Sequence, residues 1–382
     1  MPAVPRVPRG DAVALTRALV SIDSRNPLLV PGAPGESEVA GFLASVLKDW
    51  GFGVELMDAA PNRPNVIARI GSGARTLMFN GHLDVVGVEG MSHPPFDAAL
   101  REGKIFGRGS TDMKAGIAAM CTAALAAAQG GIQGEIILAA VADEEFESLG
   151  TRAMLAAGVR ADAAVITEPT RLAICPAHRG FAWFDIDIAG RAAHGSRYDL
   201  GVDAITHAGL LLAELDRLER EVLPAKTHAL LGRASIHASV IRGGSGYSTY
   251  PDHCHLGIER RTIPGETALD ALTEIELLCE GIRARRPSFE ALIRLGASQP
   301  PSDVRVDAPI VAALERACIE VGLRGAIEGL SAWTDAALLN EAGIPTVCFG
   351  PGDISLAHSA EEFVEVKEIE TAVAVLTRLA TT

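Results

Sequence analysis

The sequence predicts an α/β fold: a mostly parallel central sheet made from both ends of the chain, interrupted by an inserted α+β domain. Three observations lead there. From Asp11 to Thr167, strand-length apolar runs alternate with amphipathic helical stretches, the pattern of a largely parallel sheet covered on both faces. Near Gly180 the character changes. Phe181–Ile188 alternates apolar and polar residues, as in a half-exposed antiparallel strand. After Gln299-Pro300-Pro301 the helix and strand alternation resumes. The expected division is 1–179 and 297–382 for the two halves of one domain and 180–296 for the insertion.

At 382 residues the chain is long enough for two domains. Its 48% apolar and 21% charged residues are those of an ordinary globular protein. Thirty-four basic against 48 acidic residues leave a net charge of −14, which argues against nucleic acid and anionic membranes and suits binding of cations. Six cysteines (Cys121, Cys175, Cys254, Cys279, Cys318, Cys348) lie mostly in apolar runs without C-x-x-C spacing, so they read as reduced core residues. Met1–Gly10 has no apolar stretch resembling an export signal, and no run approaches a membrane span. The expected compartment is cytoplasmic.

The elements follow in order. Asp11–Ile22 has helical apolar spacing with Asp11 as its cap, and Glu36–Trp50 is a second helix closed by Gly51. Strands are expected at 54–57, 65–70 and 76–82. Met91–Arg108 reads as one long loop. Met113–Gln129 is a helix opened by Asp112 and stopped by Gly130-Gly131. Gly134–Ala142 and Ala163–Thr167 are strands flanking a helix at 149–157. The insertion reads strand, helix, strand, strand, helix, strand: 181–188, 202–222, 235–241, 253–259, 268–285 and 290–295, a split β-α-β unit. Helices at 308–321, 334–341 and 366–379 and a strand at 345–349 complete the first domain.

Chemistry-bearing residues sit at the ends of these strands. On a strand, positions i and i+2 share a face, so His82 and Asp84 point the same way. A metal-ligating imidazole needs its second nitrogen held, and a carboxylate is a common holder. Asp112 precedes a long apolar helix. Glu144-Glu145 and Glu168 follow apolar strands, and His358 follows a Gly-rich loop. In open α/β sheets that edge is where ligands bind. Converging, these residues divide into two equivalent sites, His82 with Glu168 and His358 with Glu145, bridged by Asp112. Three carboxylates and a shared hydroxide balance two divalent cations, which avoids isolated buried charge. Imidazole and carboxylate ligands suit Zn²⁺, and also Mn²⁺ or Co²⁺. Such a pair, ~3.5 to 4 Å apart, activates its shared water at about neutral pH. Glu144 is placed to carry the proton from that water to a leaving nitrogen, so the expected reaction is amide hydrolysis. The chain has no G-x-S-x-G elbow and no phosphate-cradling Gly-Lys loop.

The stretches FNGHLDVV (79–86), SHPPFDAALREGKIFGRGSTDMKAG (92–116), ADEEFESLG (142–150), VITEPT (165–170) and FGPGDISLAHSAEEFV (349–364) together resemble the M20 metallopeptidases. That family includes acetylornithine deacetylase, succinyl-diaminopimelate desuccinylase, aminoacylase and glutamate-releasing carboxypeptidases. The resemblance implies a di-metal catalytic domain with an inserted lid that also forms a homodimer. It implies His82, Asp112, Glu145, Glu168 and His358 as ligands, Asp84 as the orienter of His82 and Glu144 as general base. A Glu at the position of Glu168 is typical of deacylases and carboxypeptidases, while aminopeptidase members tend to carry Asp. GRAAHGS (190–196) resembles the lid segment whose histidine stabilises the oxyanion in the partner's site, which points to His194. Arg261 matches a lid arginine suited to a substrate carboxylate. Ser248 stands where members usually show Asn ahead of Pro-Asp, a departure bearing on substrate identity. The implied activity is removal of the acyl group from an N-acyl amino acid. The alternatives are a carboxypeptidase acting on short peptides and, more remotely, a non-catalytic metal-binding relative. Trp333-Thr334-Asp335 is a further candidate for lining the pocket.

Overall fold

The computed structural model describes residues 7–382 and divides the chain into two units. The expected lack of an export signal in Met1–Gly10 falls largely outside the described residues. The first unit runs to Pro176 and takes in Val304–Glu328 and Thr334–Thr382; the second holds Ala177–Asp303 and Gly329–Trp333.

The first unit is built on a sheet of β1 (Gly53–Ala60), β2 (Arg63–Gly71), β3 (Thr76–His82), β4 (Glu135–Val141), β5 (Ala163–Ile166), β6 (Ile174–His178) and β7 (Thr346–Cys348), ordered β1-β2-β4-β3-β5-β7-β6. The central pairings β4·β3, β3·β5 and β5·β7 are parallel; both flanks are antiparallel. β3, β4 and β5 therefore end at the same edge, and the register sets His82 opposite Val141 and Asn80 opposite Ile166. These strands are buried on both faces, which is why their sequences run apolar without alternation. Helix α1 (Ala12–Val20) starts at Asp11, whose carboxylate accepts the Ala14 N–H at 2.9 Å. Helix α2 (Ser37–Trp50) ends at Gly51 in the left-handed conformation. Its Leu43, Leu47 and Trp50 join Phe79, Leu138 and the buried α3 (Ala115–Gln129) in one core.

The second unit is a four-stranded antiparallel sheet, ordered Ser235–Gly243, His253–Thr262, Gly180–Ala189, Glu290–Gln299. Alternate residues Ala182, Phe184, Ile186 and Ile188 are buried in the same core as residues of the helices Ala204–Arg217 and Ala268–Arg285. Trp183 faces outward. The second helix opens with a capping box between Thr267 and Asp270.

The strand Ile174–His178 was not among the expected elements, and two segments near the site differ from the sequence expectation. The presumed loop at 91–108 contains a hairpin, Ala99–Arg101 with Lys104–Phe106, turned by Glu102-Gly103 in left-handed conformation (φ 50° and 74°). Its third strand is Phe363–Glu365, too distant in sequence for local pattern to reveal. Helix α3 does not open at Asp112. Ser110–Lys114 is a wide turn with non-helical torsions at Asp112 and Met113, and the regular helix starts at Ala115. The N–H groups of Thr111 and Asp112 are taken by the Glu362 carboxylate at 3.0 and 3.2 Å instead of entering a helix.

Two glycines draw these segments together. A Cβ on Gly116 would lie 2.0 Å from the Thr167 carbonyl oxygen, and one on Gly350 would lie 2.4 Å from the same oxygen. The backbone at Thr167–Glu168 is thus clasped between α3 and the loop after β7, at a distance only glycine permits. Gly116→Ala is expected to destabilise the fold by ~1–3 kcal/mol, overpacking outweighing the gain in helix propensity. A lowered urea midpoint with unchanged slope is the measurement; an unchanged midpoint would show that the clasp has slack.

Candidate metal centre

At the shared edge of β3, β4 and β5, the five sequence-predicted residues His82, Asp112, Glu145, Glu168 and His358 come together in two groups. In the first, His82, Asp112 and Glu168 each offer a ligand atom within 4.8 Å of the others; in the second, Asp112, Glu145 and His358 do so. Asp112 belongs to both. Its Oδ1 lies 3.0 Å from His82 Nε2 and its Oδ2 lies 3.5 Å from His358 Nε2, one oxygen toward each imidazole. Glu168 Oε1 is 3.8 Å from His82 Nε2, and Glu145 Oε2 is 3.1 Å from His358 Nε2. Nitrogen and carboxylate oxygen donors spaced this way, two imidazoles on either side of one bridging carboxylate, are the donor set that divalent zinc, cobalt or manganese takes.

Glu144 and Glu145, adjacent in sequence, turn to different imidazoles. Glu144 Oε2 lies 3.9 Å from His82 Nε2, while Glu145 goes to His358. The turn carrying them starts at Asp143 and ends at Ser148, both left-handed non-glycine residues (φ 68° and 58°). Such conformations persist only where surrounding bonds over-determine them. Here the Asp84 carboxylate accepts the N–H groups of Glu144 and Glu145 at 3.1 and 3.2 Å. The Asp143 carboxylate accepts those of Glu147 and Leu149 at 3.2 and 3.4 Å. Asp84 was expected to hold His82 through its side chain. The oxygen nearest His82 Nδ1 is instead the Asp84 main-chain carbonyl, at 2.9 Å, with Oδ1 at 3.6 Å. The carboxylate serves chiefly to order the Glu144–Glu145 turn.

Residues that the sequence reading passed over complete the surroundings. Buried Arg63 clamps Glu36 with both arms of its guanidinium and reaches Asp143 at 3.0 Å. Arg108 pairs with buried Glu362 at 2.5 Å. Asn26 bridges Asp84 and Asp143. Asp335, which the sequence reading did name as a candidate for lining the pocket, is buried and accepts a hydrogen bond from the Thr151 hydroxyl at 2.5 Å. Arg63 stands in the turn-rich stretch Pro61-Asn62-Arg63-Pro64-Asn65, where nothing in the sequence alone signals it.

The pocket is short of positive charge. Burial pushes the carboxyls of Glu144 and Glu168 well above the usual range, and neighbouring carboxylates add to the push. Hydrogen bonds to Asp112 and Glu145 raise His358 to about 10. Burial works against a charged His82, yet its bond to Asp112 and the nearby Glu144 and Glu168 hold it well above normal. Asp112, despite burial, is held below the ordinary carboxylate range by His358 and His82. This is the electrostatic setting a pair of divalent cations would satisfy.

The other three predicted residues lie in the second unit. His194 is exposed on a loop, its Nδ1 2.8 Å from the Ser196 hydroxyl, and it forms an antiparallel bridge with Thr249. The Gly195 N–H donates to the Ser248 carbonyl at 2.8 Å, so His194 and Ser248 are neighbours. Arg261 lies over the Phe181 ring and pairs with Glu259 at 2.9 Å.

The sequence model of peptidase family M20/M25/M40 matches residues 78–382. The acetylornithine deacetylase of Myxococcus xanthus is 31% identical over 378 residues, 94% of each chain. The N-formyl-4-amino-5-aminomethyl-2-methylpyrimidine deformylase of Bacillus subtilis (strain 168) is 28% identical, covering 94% of this chain and 91% of its own. A probable succinyl-diaminopimelate desuccinylase of Staphylococcus epidermidis is 27% identical over 93% of each. Among solved structures, an M20 family metallo-carboxypeptidase from Sulfolobus solfataricus has the same fold, with a TM-score of 0.82, 16% identity and coverage of 97% and 98%. From this match over most of its length we conclude that the chain belongs to peptidase family M20/M25/M40 and is a hydrolase of amide C–N bonds.

Proposed function

We propose that this protein is a metal-dependent amidohydrolase that removes the acyl group from an N-acyl amino acid, as an acetylornithine deacetylase does. The observation that carries the reading is Asp112 shared between two three-residue donor groups, with the Glu144 carboxylate beside them. The curated relatives add weight, because deacetylase, deformylase and desuccinylase all name removal of an acyl group. Glu at position 168, typical of deacylases and carboxypeptidases alike, speaks against an aminopeptidase and leaves the choice between those two to the substrate panel.

In this reading His82, Asp112 and Glu168 hold one ion, and Asp112, Glu145 and His358 hold the other. Two divalent cations so placed supply Lewis acidity toward the scissile carbonyl and make a water acidic enough to attack at neutral pH. The remaining work belongs to the chain. Asp84 fixes the turn so that Glu144 presents its carboxylate beside His82. Glu144 Oε2 takes the proton from the attacking water and returns it to the leaving nitrogen. Arg261 serves as anchor for the substrate carboxylate, Ser248 helps set which substrate fits, and His194 donates to the developing oxyanion of the partner subunit. A homodimer through the second unit accompanies this. The outer strand Ser235–Gly243 ends the sheet and exposes Val240 and Ile241. No helix among the described residues is long and apolar enough to cross a membrane, which suits a protein working on small solutes.

Glu144→Gln keeps the shape and loses the base. It is expected to lower kcat by ~10²–10⁴ while the protein still carries two ions per chain by elemental analysis. Retained turnover would refute the base assignment. Dialysis against a chelator should abolish activity and lower the melting temperature. Readdition of Zn²⁺, Co²⁺ or Mn²⁺ at about 1,000 times its dissociation constant should restore ~4 kcal/mol of stability per site. On a panel of N-acetylornithine, N-succinyl-diaminopimelate, folyl-glutamate and unblocked dipeptides, the first two should show kcat/KM values higher by about tenfold or more, ~1.4 kcal/mol of transition-state preference. Preference for the peptide or folyl substrates would select the carboxypeptidase reading instead.

A further inference from the structure

Asn26 follows α1 in a stretch that pairs with the residues after β3: Arg25 bridges Val85, and the Asn26 N–H donates to the Val85 carbonyl at 2.9 Å. Its side chain is fully buried. The amide oxygen accepts the Leu28 N–H at 3.0 Å, which sets the orientation of the amide. The nitrogen must then face the other way, where it lies 2.8 Å from Asp84 Oδ2 and 2.9 Å from Asp143 Oδ1. Each of its two hydrogens goes to a different carboxylate.

Those two carboxylates hold the turn between them. Asp84 takes the N–H groups of Glu144 and Glu145, and Asp143 takes those of Glu147 and Leu149. Arg63 neutralises Asp143 from one side, at 3.0 Å. Two carboxylates gathered on one nitrogen repel each other unless a donor sits between them, and Asn26 is that donor. We propose that Asn26 is a positioning residue for the Glu144–Glu145 turn: by joining Asp84 to Asp143 it sets the place of the proton carrier and of the Glu145–His358 metal site. The part concerning metal rests on the two-ion reading above; the part concerning the turn does not.

The test uses the whole chain in two variants. Asn26→Ala removes both donor hydrogens; Asn26→Ser keeps one and serves if the first does not fold. Hydrogen exchange on the metal-free protein reads the turn directly. The amides of Glu144 and Glu145 are expected to exchange about tenfold faster or more in Asn26→Ala, and by a smaller factor in Asn26→Ser. Calorimetric titration with Co²⁺ reads the ions. The second ion should bind ~10–100-fold more weakly, the range for loss of an outer-shell contact, and the first should be unchanged within about twofold. With both sites filled, kcat should fall while KM stays within about threefold. Unchanged amide protection, or equal weakening of both ions, overturns the proposal. Wild-type protein binding fewer than two ions would overturn the two-ion reading, and the exchange result would still decide the role of Asn26.

Discussion

The structure depends on holding mutually repelling carboxylates a few ångströms apart in a dry interior. Asp84, Asp112, Asp143 and Glu168 are all buried, with Glu144 and Glu145 close beside them. An isolated buried carboxylate carries a penalty of several kcal/mol, so this arrangement stands only if each is hydrogen-bonded or paired. Backbone N–H groups do much of that. Asp84, Asp143 and Glu362 each accept two of them, and each thereby pins a segment that bears a candidate ligand. Charge compensation and positioning are one set of bonds.

Glu362 shows the same economy on the other side of the site. It lies four residues beyond His358 and takes the N–H groups of Thr111 and Asp112, so the segment carrying one imidazole fixes the backbone of the carboxylate common to both candidate groups. This explains why Asp112 is not a helix cap. Its own N–H is committed to Glu362, and its two oxygens are directed at His82 and His358. The glycine clasp at Gly116 and Gly350 brings the third contributor, Glu168, to the same place by backbone approach.

Legibility in the sequence follows from this division. His82, Glu145 and Glu168 were readable because each stands just past an apolar run, where a charged residue has no packing reason to be. The parallel centre of the sheet was readable because its strands are apolar on both faces. Asn26, Glu36, Arg63 and Glu362 were not, because each sits in polar or turn-rich sequence where such residues are unremarkable, and their partners are tens to hundreds of residues away. The hairpin at 99–106 was lost for the same reason: its supporting strand is Phe363–Glu365. Asp84 was found by pattern with only part of its work. Spacing says which face a side chain takes, but not that the nearest hydrogen-bond donors would be the backbone of another strand's exit loop.

The placement of the fixed cations bears on why the centre suits metal. Arg63 is bonded to Glu36 and Asp143, and Arg108 to Glu362; none of these carboxylates belongs to either three-residue group. A guanidinium is always charged and would fill a ligand pocket as a permanent counter-ion. Kept one layer back, the two arginines steady the frame and leave the candidate ligand carboxylates without a guanidinium partner. What faces those carboxylates directly is imidazole, at His82 and His358, which the same carboxylates hold protonated above the usual range but which, unlike guanidinium, yields its proton to a metal ion that competes for the nitrogen. A divalent cation can therefore enter by displacing protons instead of a fixed charge, and the frame that receives it is already braced from behind.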